Sequence, residues 1–337
     1  MAKQVGSAAN RPNDLRHARV LITDVCEVAG SPSLIEDAGE ELAQAGVIEA
    51  IRRHDNATIF NWLMDAVSYQ GVSNAAAYGY IQAHGNANYG RMVASLRQSP
   101  SCAKLTSWWH FEQCGFRKTK FTCNNRRHIR RCPLPKLPLR NGSLNQTAYG
   151  LFLFMRDMCK GDFVHWIDER LSCTGQPRPE SIIGPLRNVP GVSDKVLSMT
   201  LSMMLLAGDP DRARWIAAGA HMVAVDTLVH AWMSRTGILK GLDAEHVYGT
   251  NCYAPGGCAN IITLAASAID ATRFNPCFPA VFPRFVQHAI WRFCAQWGLG
   301  QCNSITVSDG TACKDRTCDL FVLCDHIEQP RIGPAKV

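Results

Sequence analysis

The chain has 337 residues, 47% of them apolar, a formal net charge of +7 and fifteen cysteines. This length and composition suit one large or two interlocked globular domains. No run of eighteen apolar residues occurs and the first ten residues have no apolar core, so neither a membrane span nor a signal peptide is expected.

Residues 1–17 read as a loose polar lead. Ser33 with Glu36 makes a capping box, opening a helix to about His54. A second helix, Thr58–Gln70, sets Ile59, Leu63, Ala66 and Val67 on one face. Ser73 caps a third over Ala75–Ala83, which Gly85 closes. Residues 100–144 break the pattern. They hold Pro133, Pro135, Pro138 and Cys102, Cys114, Cys123 and Cys132 without helical periodicity, as an irregular insertion. No acidic residue lies between Glu112 and Asp157, whereas Arg117, Lys118, Lys120, Arg126, Arg127, Arg130, Arg131, Lys136 and Arg140 all do. Such a block suits a polyanion or a solvated basic loop.

Asn145–Lys160 is a strongly apolar helix ended by Gly161, and Asp162 starts a short one carrying Trp166. Ser181–Arg187 closes another helix; Pro190 and Gly191 make a turn; Ser193 caps a helix to about Ala207. A turn leading into a helix N-terminus presents backbone N–H groups and partial positive charge, which suit a phosphate. Asp209, Pro210 and Gly219 bound an extra helix. Helices over 226–236, 258–271 and 281–297 complete the chain before a cysteine loop.

Fifteen cysteines without a secretory signal point to metal ligation and buried thiols rather than a disulfide framework. Cys302, Cys313, Cys318 and Cys324, spaced x10, x4 and x5, suit a [4Fe–4S] cluster or zinc. Lys314 and Arg316 lie between them. Cys114, Cys123, His128 and Cys132 suit a closed zinc site that would staple the insertion, with Cys102 or His110 able to replace any one of them. Cys26, Cys159, Cys173, Cys252, Cys258, Cys277 and Cys294 read as small buried apolar residues. His221 and His230 flank Asp226 and read as helix-packing histidines.

Val189-Pro-Gly-Val-Ser-Asp-Lys195, followed by Val225-Asp226-Thr227 and then four clustered cysteines, resembles the helix-hairpin-helix DNA glycosylase superfamily, in its endonuclease III branch. That family carries Leu-Pro-Gly-Val-Gly-x-Lys, Val-Asp-Thr and a Cys-x6-Cys-x2-Cys-x5-Cys loop. Phe60–Gln70 is similar to the family helix that ends in Ser-Gln-Gln. Roughly residues 55–96 and 180–325 share the resemblance. It implies that Lys195 is the Schiff-base lysine, Asp226 the essential aspartate, and Cys302, Cys313, Cys318 and Cys324 the cluster ligands. It places Asn188, Pro190, Gly191 and Ser193 on DNA phosphate and Gln70 beside the space left by an extruded base. The chain departs from the pattern at Ser193, at Leu197 and in a longer connection from Lys195 to Asp226.

The expected fold is all-α: two helical lobes with a cleft between them, a helix-hairpin-helix motif, and the Cys-rich basic insertion. Residues 1–54 form a lead and a helix packed on the C-terminal lobe. Residues 55–225 form the hairpin domain with the 100–144 insertion, and 226–337 form the C-terminal lobe with the cysteine loop. The resemblance implies a DNA glycosylase with AP lyase activity on double-stranded DNA bearing a damaged or modified base. Arg126, Arg127, Arg130 and Arg131 would add phosphate contacts. A cytoplasmic monomer is expected, nucleoid-associated if bacterial. Two alternatives stay open: a monofunctional glycosylase using water, with Lys195 as a phosphate contact, and a non-catalytic DNA-binding protein. As the N-cap of its helix, Asp226 would also have a structural role.

Overall fold

The computed structural model describes residues 15–68, 79, 82, 85, 87–97, 102–116, 123, 132, 134, 143–173, 175–303 and 310–328. Among these the chain is all-α, with no strand and no helix long and apolar enough to cross a membrane. In chain order the helices are α1 (Arg16–Ala29), α2 (Leu34–Gln44), α3 (Val47–Arg53), α4 (Asn56–Ser68), α5 (Tyr89–Arg97), α6 (Trp108–Phe111) and α7 (Ser143–Leu153). They continue with α8 (Phe163–Ser172), α9 (Glu180–Leu186), α10 (Asp194–Ala207), α11 (Ala213–Ala220), α12 (Thr227–Arg235), α13 (Ile238–Gly241), α14 (Cys258–Ala266) and α15 (Pro283–Cys294). Gln70 and nearly all of the expected helix Ala75–Ala83 lie outside the described residues.

The chain divides into two compact units, one of Met1–Leu34 with Ala220–Val337 and one of Ile35–Gly219. In the first, α1 sets Ala18, Leu21, Ile22, Val25, Cys26 and Ala29 on one buried stripe at helical spacing. This stripe packs on α14 and α15, and Arg292 of α15 donates to the carbonyl of Gly30 at 3.1 Å. Trp232, Phe282, Phe285 and Phe293 fill the core beneath. The N-terminal helix on the C-terminal lobe is therefore residues 16–29, which overlap the stretch read as polar lead. Its apolar positions recur at 3, 4 and 7 between charged residues, and that period outweighs the polar composition.

The stretch expected as one helix from Ser33 to His54 is two. Gly46, at φ +71°, interrupts it between α2 and α3, and both helices belong to the second unit. The helix expected from Asp209 begins instead at Ala213. The Asp209 carboxylate accepts from the Asp211 N–H at 3.1 Å and from Arg212 Nε at 2.9 Å, holding residues 209–212 in a turn. The helices expected to end at 271 and 297 end at Ala266 and Cys294.

The second unit is centred on α4, α7 and α10. Phe60 of α4 meets Tyr89 and Phe152 at ring centroids of 5.8 and 6.1 Å, while α10 buries Val196, Leu197, Leu201, Met204 and Leu205. After Leu153 the backbone of α7 widens into a π-helical turn, Phe154–Met158, in which the Cys159 N–H reaches the Phe154 carbonyl at 3.1 Å. Gly161 ends this run, and Asp162 caps α8 by accepting from the His165 N–H at 2.9 Å. The same carboxylate takes His54 Nδ1 at 2.7 Å, tying the end of α3 to the start of α8.

Burial alone would push the Asp162 carboxyl up, but the His165 N–H and the His54 ring outweigh it and hold it below the ordinary carboxylate value. A depressed folded-state pKa gives stability that is present above the unfolded value, about 3.9, and lost as pH falls through the folded one. Urea midpoints measured from pH 3 to 6 should therefore fall toward acid less steeply in Asp162→Asn than in wild type. Asp162→Ala should in addition lose about 1 kcal/mol at neutral pH with its cap.

Candidate functional site: hairpin, aspartate and cysteine groups

The hairpin forms where its sequence places it. Leu186 ends α9, Val189 is buried, and Gly191 takes φ +81°, a left-handed value that glycine adopts without strain. Ser193 occupies the N-cap position of α10 in extended backbone, although its hydroxyl makes no capping bond. Arg187 braces the two helices. Its guanidinium takes Glu180 at the head of α9 at 2.6 and 2.9 Å, and Asp194 at the head of α10 at 2.7 and 3.0 Å. The turn is supported from behind by α7. Thr147 donates its hydroxyl to the Pro190 carbonyl, and at Gly150 an added Cβ would come within 3.0 Å of Pro190 Cδ. Gly191, Ser193 and Asn188 are exposed, and Lys195 is half-buried in the first turn of α10. The first N–H groups of that helix have no acceptor within it, as at any helix start.

Asp226 is the N-cap of α12 and accepts from the Val229 N–H at 2.9 Å. The residue before it is held twice by one phenol: Tyr253 Oη accepts from the Val225 N–H at 2.9 Å and lies 3.3 Å from its carbonyl. Arg284, buried in the first turn of α15, is charge-coupled to both Tyr253 and Asp226. Burial pulls the Arg284 pKa down, and the two neighbours oppose this. Tyr248 is raised by burial and by the Asp226 charge. Arg284, Tyr253 and Tyr248 were not expected from the sequence. The available signal was Arg284 with Gln287 on the buried stripe of α15, where an apolar residue is normal and a polar one needs a partner.

The structure brings the four C-terminal cysteines within electrostatic range. Cys318 is raised by burial and then by Cys302 and Cys313, and Cys324 by burial and then by all three others. Backbone N–H groups two residues downstream oppose this: that of Leu320 faces Cys318, and that of His326 lies 3.3 Å from Cys324 Sγ. Buried Arg235 places Nη1 3.8 Å from Cys302 Sγ. Cys302 is held below the ordinary thiol value by its bond to Cys294 and by Arg235, against burial. Lys314 and Arg316 are exposed.

In the insertion, Cys102, Cys114, Cys123 and Cys132 stand within range of one another. The Phe116 N–H faces Cys114 and the Leu134 N–H faces Cys132, again two residues on. His110 turns instead to Ser107 Oγ at 2.8 Å and Thr106 Oγ1 at 3.2 Å, so Cys102 is the residue that joins the three expected cysteines. His128, Arg126, Arg127, Arg130 and Arg131 lie outside the described residues. Phe111, Cys114 and Gln146 line one hollow with Asn188 and Pro190 of the hairpin.

A further group was not expected. The ligand atoms of His230, His246, Cys252 and Cys258 all lie within 4.8 Å of one another, and together they can hold a metal ion. Among the described residues no other His, Cys, Asp and Glu group is so close. Cys252 and Cys258 are buried, but as members of this group rather than as apolar filler, and His230 faces them. Their spacing, His-x15-His-x5-Cys-x5-Cys, was a readable metal signal. Cys173 and Cys277, also expected to be buried, are exposed, whereas Cys26, Cys159 and Cys294 are buried. All fifteen cysteines are free of disulfides. No protein family, curated protein or solved structure matches the chain.

Proposed function

We propose that the chain is a helix-hairpin-helix DNA glycosylase with AP lyase chemistry, acting as a monomer on double-stranded DNA that carries a damaged or modified base. The observation that carries it is the α9–α10 hairpin: a left-handed Gly191 at its tip, two helix starts locked by Arg187, and Lys195 in the first turn that follows. In this role the exposed turn at Asn188, Pro190, Gly191 and Ser193 holds the DNA backbone. Arg126, Arg127, Arg130 and Arg131 add phosphate contacts, and Gln70 sits by the emptied base position.

Lys195 Nζ attacks C1′ of the sugar as the glycosidic electron pair leaves with the base. Loss of a proton and opening of the sugar ring give a Schiff base, from which β-elimination cuts the strand. The Asp226 carboxylate stabilises the positive charge that grows on the sugar. Its place is set by three groups at once: the Val229 N–H, the Tyr253 clamp on Val225, and the Arg284 charge. Cys302, Cys313, Cys318 and Cys324 fit a [4Fe–4S] cluster, because the four thiols gather with two N–H donors and Arg235 around them. The cluster would order the loop that presents Lys314 and Arg316 to DNA.

Wild-type protein on abasic DNA should give a borohydride-trapped covalent adduct, and Lys195→Ala should give none while keeping its DNA affinity. Asp226→Asn should bind DNA but release base about 100- to 1,000-fold more slowly. Base release without trapping would move the assignment to a monofunctional glycosylase. Tight DNA binding with neither reaction would leave a binding protein.

Replacing Arg126, Arg127, Arg130 and Arg131 together by Ala should weaken binding to every duplex alike. If each contacts one phosphate, the slope of log affinity against log salt should flatten by about 3 to 4. An unchanged slope would turn the insertion away from DNA.

The purified protein should be yellow-brown and carry about four irons per chain, and Cys318→Ala should lose iron and colour together. Zinc in place of iron at these four cysteines would overturn the cluster.

A further inference from the structure

His230, His246, Cys252 and Cys258 come from three different pieces of chain. His230 is one turn into α12, Cys258 is the first residue of α14, and His246 and Cys252 lie on the connection between them. His230 Nδ1 lies 3.4 Å from Cys258 Sγ and 3.6 Å from Cys252 Sγ, and His246 Nε2 lies 3.5 Å from Cys258 Sγ. A tetrahedral zinc with bonds of about 2.3 Å to sulfur and about 2.05 Å to nitrogen has S···N edges of about 3.5 Å. The three separations are those edges.

Hydrogen bonding alone accounts poorly for the group. His246 Nδ1 lies 2.6 Å from the Ala244 carbonyl. A carbonyl only accepts, so the ring proton is on Nδ1 and Nε2 turns a lone pair toward the sulfurs. A ligating histidine is oriented in this way, with its other nitrogen donating to a backbone carbonyl. His230 Nδ1 faces two sulfurs at once, and a single ring nitrogen cannot satisfy both through one proton or one lone pair. Cys258 lies at the N-terminus of α14, where the helix dipole favours a thiolate. Three of the four residues are buried, and a buried thiolate with no counter-charge is costly.

We infer that His230, His246, Cys252 and Cys258 form a closed structural zinc site that staples the α12–α14 connection to α12. Two sulfurs and two imidazole nitrogens in a compact tetrahedron suit zinc, and four protein ligands leave no position open for water or substrate. From Leu242 to Gly257 the connection holds only one short 3-10 turn, Thr250–Tyr253, and a segment so poor in regular structure gains its order from the ion. The same connection carries Tyr253, next in sequence to Cys252, whose phenol holds Val225. The zinc site rests on ligand geometry alone and stands whether or not the chain acts on DNA.

Zinc and iron would be counted by plasma mass spectrometry on full-length protein after dialysis against a moderate excess of EDTA, with folding checked by circular dichroism. Wild type should keep one zinc per chain that Cys252→Ser/Cys258→Ser lacks, with iron content equal in the two. His246→Cys, which preserves four ligands, should keep that zinc. A folded double variant with as much zinc as wild type would overturn the site. If the double variant does not fold, His246→Ala decides: its ligand lies on the connection and is only half-buried. This variant should yield zinc to a chromogenic chelator at least ~10-fold faster than wild type, and an unchanged rate would overturn the proposal.

Discussion

A guanidinium cannot be taken out of water without a counter-charge nearby, and Arg284 is only 8% exposed. Its position in the first turn of α15 obliges the start of α12 to present Asp226 and the following connection to present Tyr253. The rest of the C-terminal unit is built around that arrangement. α15 packs on α1, α12 and α14, and Tyr253 ties the strand-like approach Val223–Val225 into the same group. Because Asp226 also caps α12, the carboxylate has little freedom to rotate, although it remains partly open to solvent. Removing Arg284 would free it, and removing Asp226 would leave a buried cation unmatched.

The thiols show a second constraint repeated in two places. In both the insertion and the C-terminal loop, a backbone N–H two residues downstream faces a cysteine sulfur: Phe116 at Cys114, Leu134 at Cys132, Leu320 at Cys318 and His326 at Cys324. Each such donor favours the thiolate over the thiol. Burial and neighbouring thiols pull the other way at these four positions, so the folded chain holds groups that a cation would satisfy and a proton satisfies less well. The His and Cys group on the α12–α14 connection solves the same difficulty with imidazoles in place of half the sulfurs.

Local rules were legible in the sequence. Pro190 with Gly191 and Ser193 marked the hairpin, Asp162 and Asp226 marked helix starts, and both cysteine loops came from spacing alone. All of these depend on residues within a few positions of one another. What was missed depends on distance or on a competing signal. His230 and Cys258 are 28 residues apart, so their meeting needs the connection between them to fold back. Arg284 and Asp226 are further apart still. The helix proposed from Ser33 to His54 failed at Gly46 because its apolar period continues across a break that backbone sign alone decides. The boundary between the units falls at residues 34 and 219, where the expectation drew 54 and 225, because α1 alone of the N-terminal helices joins the later ones.

The π-helical turn at Phe154–Met158 has a bearing on how the chain tolerates changes in length. A π-turn is an α-helix holding one extra residue, and each residue turns the helix by roughly 100°. Upstream of it Phe152 faces Phe60 and Tyr89, whereas within it Phe154 stands edge-on to Trp108 and Trp166, each with centroids 5.3 Å away. Two aromatic clusters are thus served by one helix that a regular period would aim at only one of them. A single-codon deletion there would restore a regular helix, yet rotate everything after it until Asp162 and its cap pointed elsewhere. The bulge acts as a register mark, recording an insertion that the core absorbed and now cannot release.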